Sequence, residues 1–135
     1  MIQVCDIAIE INQYDYHAWC AKANALEDLQ RYDEAEQAYN RAVEIDPDNF
    51  IAWCGIASLM KNLKRHEDAI LVHKRILSIQ PNQYGAWNLM GYELFNLKRY
   101  EEALQAFEQA LAVDATYEPA LQGRKAAVEA LKDTS

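Results

Sequence analysis

Glycine and proline are scarce in this chain, 4 and 3 of 135 residues. With so few helix breakers beside abundant Ala, Leu, Glu, Gln and Lys, the composition points to an all-α protein. Cysteine is scarce too. Cys5, Cys20 and Cys54 are an odd number, widely spaced, with no Cys-x-x-Cys pair and no histidine at metal-ligand spacing. That excludes a disulfide framework and a zinc site, and leaves reduced thiols of a cytoplasmic protein as the expectation. Positive charge is in deficit, with a formal net charge of −8. General binding to nucleic acid or to an anionic membrane is therefore not expected, since both need a basic footprint. No apolar run approaches the ~20 residues of a membrane span, and the N-terminal stretch Met1 to Asp6 lacks the basic start of a secretory signal. Catalytic signatures are missing as well. There is no Gly-rich phosphate loop, no His-Glu-x-x-His and no Gly-x-Ser-x-Gly, and Gly55, Gly85, Gly91 and Gly123 stand alone. Neither an enzyme, nor a cofactor, nor a metal site is expected.

What the chain does have is a period. Ala18-Trp19 returns as Ala52-Trp53 and again as Ala86-Trp87, each pair 34 residues after the last. A fixed period of that size marks a repeat architecture, and 51% hydrophobic residues suffice for the core of one domain or one short solenoid. Three units follow one another at residues 16–49, 50–83 and 84–117. The first apolar stripe of each is Trp19, Ala23, Leu26, then Trp53, Ile56, Ala57, Met60, then Trp87, Met90, Gly91, Leu94, at i, i+3, i+4 and i+7 spacings. That spacing predicts an amphipathic helix.

A short turn comes next in each unit, Leu29 to Tyr32, Leu63 to His66 and Leu97 to Tyr100. The acids after it, Asp33-Glu34, Glu67-Asp68 and Glu101-Glu102, suit a helix N-terminus. The second helix carries Ala35, Tyr39, Ala42; Ala69, His73, Ile76; and Ala103, Phe107, Ala110 on one face. Pro47 and Pro81 close the first two units, because proline restricts the residue before it. Ala115 replaces proline in the third, where a looser stop is expected.

Residues 1–15 read as one helix, apolar almost all round, in register with the second helix of a unit whose first helix is missing. The array is thus expected to begin inside a longer one. Residues 118–135 read as a capping helix to about Lys132 and a frayed tail, Asp133-Thr134-Ser135.

The pattern Trp19, Ala23, Tyr32, Ala35, Tyr39, Ala42, Pro47, with Trp87, Gly91, Tyr100, Ala103, Phe107 and Ala110, resembles the tetratricopeptide repeat family. The second unit departs from it at His66, His73 and Ile76. The resemblance implies a right-handed superhelical solenoid of antiparallel helix hairpins whose first helices line a concave groove holding a peptide or a partner helix. The groove candidates are His17, Cys20, Asn24 and Glu27; Ile51, Cys54, Ser58 and Lys61; and Asn88, Tyr92, Phe95 and Asn96. Family members that grip the C-terminal carboxylate of heat-shock chaperones need Lys, Asn and Arg converging on it. Here Asn24 matches, but Cys20 stands where the Lys would be, and Asn88 and Leu89 offer no base. Such a clamp is not expected.

The physical reading of the small residues is independent of any family. Ala23 facing Ala35, and Gly91 facing Ala103, would let two helices approach closely, and the tryptophans would be buried around the contact, costing about 3–5 kcal/mol if truncated to Ala. His66 and His73 are expected to be packed, neutral imidazoles. Lys61, Lys64, Arg65, Lys74 and Arg75 form a basic island in an acidic chain, read as a solvated face or a contact for an acidic partner segment. The leading function is a protein-protein interaction scaffold. The rivals are an oligomerisation or spacer module, with a homodimer through Ile2, Cys5 and Ile9, and a regulatory appendage of a larger protein.

Overall fold

In the computed structural model, which describes residues 1–133, eight α-helices follow one another with no strand among the described residues. They are α1 (Ile2–Ile11), α2 (Tyr16–Asp28), α3 (Tyr32–Ile45), α4 (Phe50–Asn62), α5 (His66–Ile79), α6 (Tyr84–Asn96), α7 (Tyr100–Val113) and α8 (Glu118–Asp133). The last helix includes Asp133, so of the expected frayed tail Thr134 and Ser135 lie outside the described residues. The chain divides into two compact units, residues 1–63 and 64–135, and the division falls between α4 and α5.

In the first unit α2 and α3 form a hairpin, with α1 packed on α2 and α4 packed on both α3 and α2. Ala23, Ala35 and Ala42 are fully buried there. The N-terminal helix is shorter than its sequence suggests. It stops at Ile11 because Asn12 turns to an extended conformation and its side chain accepts from the Tyr14 amide. Asp15 then caps α2, accepting from the amides of His17 and Ala18, as Asn49 caps α4 through Ile51 and Ala52. Each such cap satisfies helix N–H groups that have no partner within the helix.

In the second unit α6 and α7 form the corresponding hairpin, flanked by α5 and α8. The junction after α7 is no looser for lacking proline. Asp114 accepts from the amide and hydroxyl of Thr116, and the Tyr117 amide closes on the Asp114 carbonyl at 3.2 Å. The Asp46 turn of the first unit is built the same way, through the amides of Asp48 and Asn49. The side chain at the start of the turn stops the helix, and proline is dispensable.

The tight turns that follow α2, α4 and α6 have a feature the sequence hides. Gln30, Lys64 and Lys98 take φ of 59°, 57° and 62°, the left-handed region usually reserved for glycine. At Gln30 and Lys98 the pattern closes the helix end: Gln30 N–H donates to Glu27 and Arg31 N–H to Leu26, and Lys98 and Arg99 repeat this with Phe95 and Leu94. Arg31, Arg65 and Arg99 each pair with the acid three residues on, Glu34, Asp68 and Glu102.

The tryptophans are half-buried, so the conditional cost of truncating a buried indole applies only in part. Each indole instead reaches back six residues to a loop carbonyl: Trp19 to Gln13 at 2.9 Å, Trp53 to Pro47 at 2.7 Å, Trp87 to Pro81 at 3.2 Å. The ring pins the loop entering its own helix, so its position is set by a polar tip as well as by packing.

Candidate functional site

The first unit gathers most of the exposed candidates on the neighbouring helices α2 and α4. His17, Asn24, Ile51, Ser58 and Lys61 are exposed there, and Glu27 and Cys54 partly so. Their polar members are held in place. Tyr39, buried on α3, donates its hydroxyl to Asn24 Oδ1 and approaches Glu27 Oε1 at 3.5 Å. Asn62 at the end of α4 donates to the other Glu27 oxygen at 3.1 Å. Three helices are thereby tied beneath one face, and an exposed amide and a carboxylate are given fixed directions.

The Tyr39 hydroxyl is itself held protonated. Burial, and then the nearby Glu27 carboxylate, push it well above the ordinary tyrosine range. Burial also raises the thiols of Cys20 and Cys54, which suppresses the thiolate on which cysteine reactivity depends.

Two groove candidates are not on a surface. Cys20 belongs to a core cluster with Ala42 and Ala52, with Tyr16, Trp19 and Val43 packed around it. Asn88 is buried at 4% exposure, and its Oδ1 lacks a hydrogen-bond partner. Periodicity puts both on the expected face but says nothing of how closely neighbours cover it.

In the second unit Tyr92 donates to the Pro119 carbonyl at 2.9 Å and meets Phe107 edge-on, while Phe95 meets Tyr100 edge-on. These side chains serve hairpin packing and the docking of α8. Asn96 is exposed.

The self-association candidates also need correcting. Cys5 is buried and Ile2 and Ile9 are half-buried, in the helix that packs on α2. The apolar residues α1 does expose are Val4, Ile7 and Ile11. An open cavity of about 600 Å³ lies beside this helix, with Ile2, Asn24, Ala25, Asp28 and Leu29 among its walls.

The sequence reading missed Glu93. It is buried at 3% on α6, and its carboxylate meets His66 Nδ1. A signal was present, since Glu93 falls in the register of Ala25, Leu59 and Ala127, and His66 in that of Tyr32 and Tyr100. Two departures from the repeat compensate one another. Gly55 and Gly123 were missed as well. A Cβ on Gly55 would lie 2.5 Å from the Tyr39 ring, and Phe107 is met in the same way by Gly91 and Gly123.

Among the described residues no group of three or more His, Cys, Asp or Glu side chains is arranged to hold a metal ion, and no helix is long and apolar enough to cross a membrane.

Family models described as tetratricopeptide repeat match residues 16–49, 84–117 and 38–70. No curated protein matches the chain. Among solved structures, the tetratricopeptide domain of OM64 from Arabidopsis is similar at TM-score 0.74 and 21% identity, covering 84% of this chain and 94% of that one. The first such domain of Spaghetti (RPAP3), bound to the HSP90 peptide SRMEEVD, is similar at 0.77 and 23%, covering 87% and 93%. MamA truncated to begin at residue 41, from Desulfovibrio magneticus RS-1, is similar at 0.79 and 16%, covering 98% and 80%.

Proposed function

The chain belongs to the tetratricopeptide repeat family, and from that premise we propose that it is a protein-interaction module holding an extended peptide or a helix of another protein against the α2–α4 face of its first unit. The repeat fold itself suggests protein-protein interaction. The observation that carries the finer reading is the chain of hydrogen bonds from Tyr39 through Asn24 and Glu27 to Asn62. Polar groups fixed before a ligand arrives lose little entropy on binding it. Beside them the exposed side chain of Ile51 and the open Ser58 offer an apolar and a small contact on α4. An extended ligand is read by such a mixture, backbone by the amide and side chains by the apolar positions.

The ligand class differs from the acidic peptide seen with the Spaghetti domain. Cys20 is a buried thiol, and the polar groups tied together on this face are an amide, a carboxylate and a second amide, with Lys61 as its exposed base. A carboxylate terminus would meet Glu27 rather than a cluster of bases, and like charges disfavour that contact. The partner segment is therefore neutral or basic. A cytoplasmic location belongs to the same reading, supported by three free thiols, and roles as a spacer or as a regulatory appendage of a larger protein are compatible with the same face.

The test is a selection of displayed random peptides on the immobilised protein, with the best binder measured against wild type and an Ile51→Glu, Ser58→Arg variant. Both positions are exposed, so helicity and melting temperature should be unchanged while affinity falls at least tenfold, about 1.4 kcal/mol. Equal binding by the variant would remove the assignment.

A further inference from the structure

We propose that a second copy of this chain docks on the outer face of α1, through Val4, Ile7 and Ile11, to form a closed, antiparallel pair. The helix has two apolar sides. Cys5, with Ile2 and Ile9, occupies the side packed on α2, whereas Val4, Ile7 and Ile11 stand 66%, 57% and 82% exposed. Their i, i+3, i+7 spacing makes one continuous stripe on the opposite side.

The repeat register says what that stripe is for. Val4 corresponds to Ala38, Val72 and Ala106, all buried, so this position is one that a neighbouring helix covers. Ile7 corresponds to Arg41, Arg75 and Gln109. In the other second helices the position is polar, so a hairpin partner of the usual kind gives no reason for an isoleucine. The apolar stripe of α1 is therefore wider than the repeat requires, as an added interface demands.

Charge selects the occupant. The first turn of α1 holds no acid and its last turn no base, while Glu10 sits exposed in that last turn, where the helix's own dipole opposes it. An antiparallel copy of α1 places each Glu10 beside the other's N-terminal turn, where the dipole favours it. The C-terminal helix is a poor alternative occupant. Lys125 stands exposed at the register of the buried Ala23, Ala57 and Gly91, so a head-to-tail chain would bring an ammonium into the contact. An isologous pair closes on itself. Three aliphatic side chains per copy are few, and specific interfaces bury at least about 1,000 Å². The pair is accordingly weak and concentration-dependent.

The experiment is sedimentation of the full chain over a concentration series from micromolar to millimolar, compared with Val4→Glu, Ile7→Glu and, separately, Glu10→Lys. The wild type should pass from one chain mass to two and stop there. The double variant should stay at one mass with unchanged helical circular dichroism, and Glu10→Lys should weaken the pair severalfold. A wild type that stays at one mass overturns the proposal, as does growth beyond two. Pairing of the double variant at wild-type strength overturns it too, and indifference to Glu10→Lys overturns the antiparallel arrangement.

Discussion

The ring of Tyr39 on α3 lies so close over Gly55 on α4 that a Cβ on the glycine would come within 2.5 Å of Tyr39 Cε1. The same ring carries the hydroxyl that fixes Asn24 and leans on Glu27. A glycine with no side chain to offer thus sets the depth at which the polar face is anchored.

Gly55→Ala should destabilise the protein by about 1–3 kcal/mol, because a planar ring held at both ends cannot shift cheaply. Gly85→Ala is the control, since nothing lies within 4 Å of the Cβ it would gain. Chemical denaturation of the two variants checks the contrast, and equal midpoints would contradict it.

Tyr39→Phe removes the hydroxyl but keeps the ring. At neutral pH the loss should be about 1 kcal/mol, the ordinary worth of a buried hydrogen bond. The alkaline limb gives a sharper readout. The folded tyrosine holds its proton above the ordinary range, chiefly through burial, whereas the unfolded chain releases it near pH ~10. The stabilisation is thus complete below that pH and declines as pH rises past it. Wild type should lose stability faster than Tyr39→Phe above pH ~10, and parallel curves would refute the assignment.

Lys98→Gly should stabilise the protein by roughly 0.5–1 kcal/mol, because a left-handed conformation costs an L side chain energy that glycine avoids. The left-handed conformation recurs at the matching Gln30 and Lys64, with φ of 59° and 57°, so Gln30→Gly should act alike. A rise in melting temperature checks both.

Glu93→Leu alone should destabilise, since it strips His66 of its partner, whereas Glu93→Leu with His66→Tyr restores the residues found at Leu59 and Tyr32. A double-mutant cycle should give a coupling of about 1–2 kcal/mol. Additive effects would show that the two side chains do not act together.

The fold was legible because the 34-residue spacing of Trp19, Trp53 and Trp87 and the helical stripes around them state the repeat directly. The site was less so. Spacing tells which positions recur at one register of the repeat, but Cys20 and Asn88, which share a register, are each buried, because neighbouring residues close over them. In α1 apolar residues run almost all round, so no stripe distinguished the packed side of Cys5 from the open side of Val4. The left-handed Gln30, Lys64 and Lys98 carry no glycine to announce them. Glu93 and His66 read as two separate oddities until the structure put their side chains together.

The most direct test of the binding face is amide chemical-shift mapping with the strongest peptide from the display selection. Perturbations should centre on His17, Asn24, Glu27, Ile51, Ser58 and Lys61. Perturbations confined to α1 or α8, with those six residues unmoved, would contradict it.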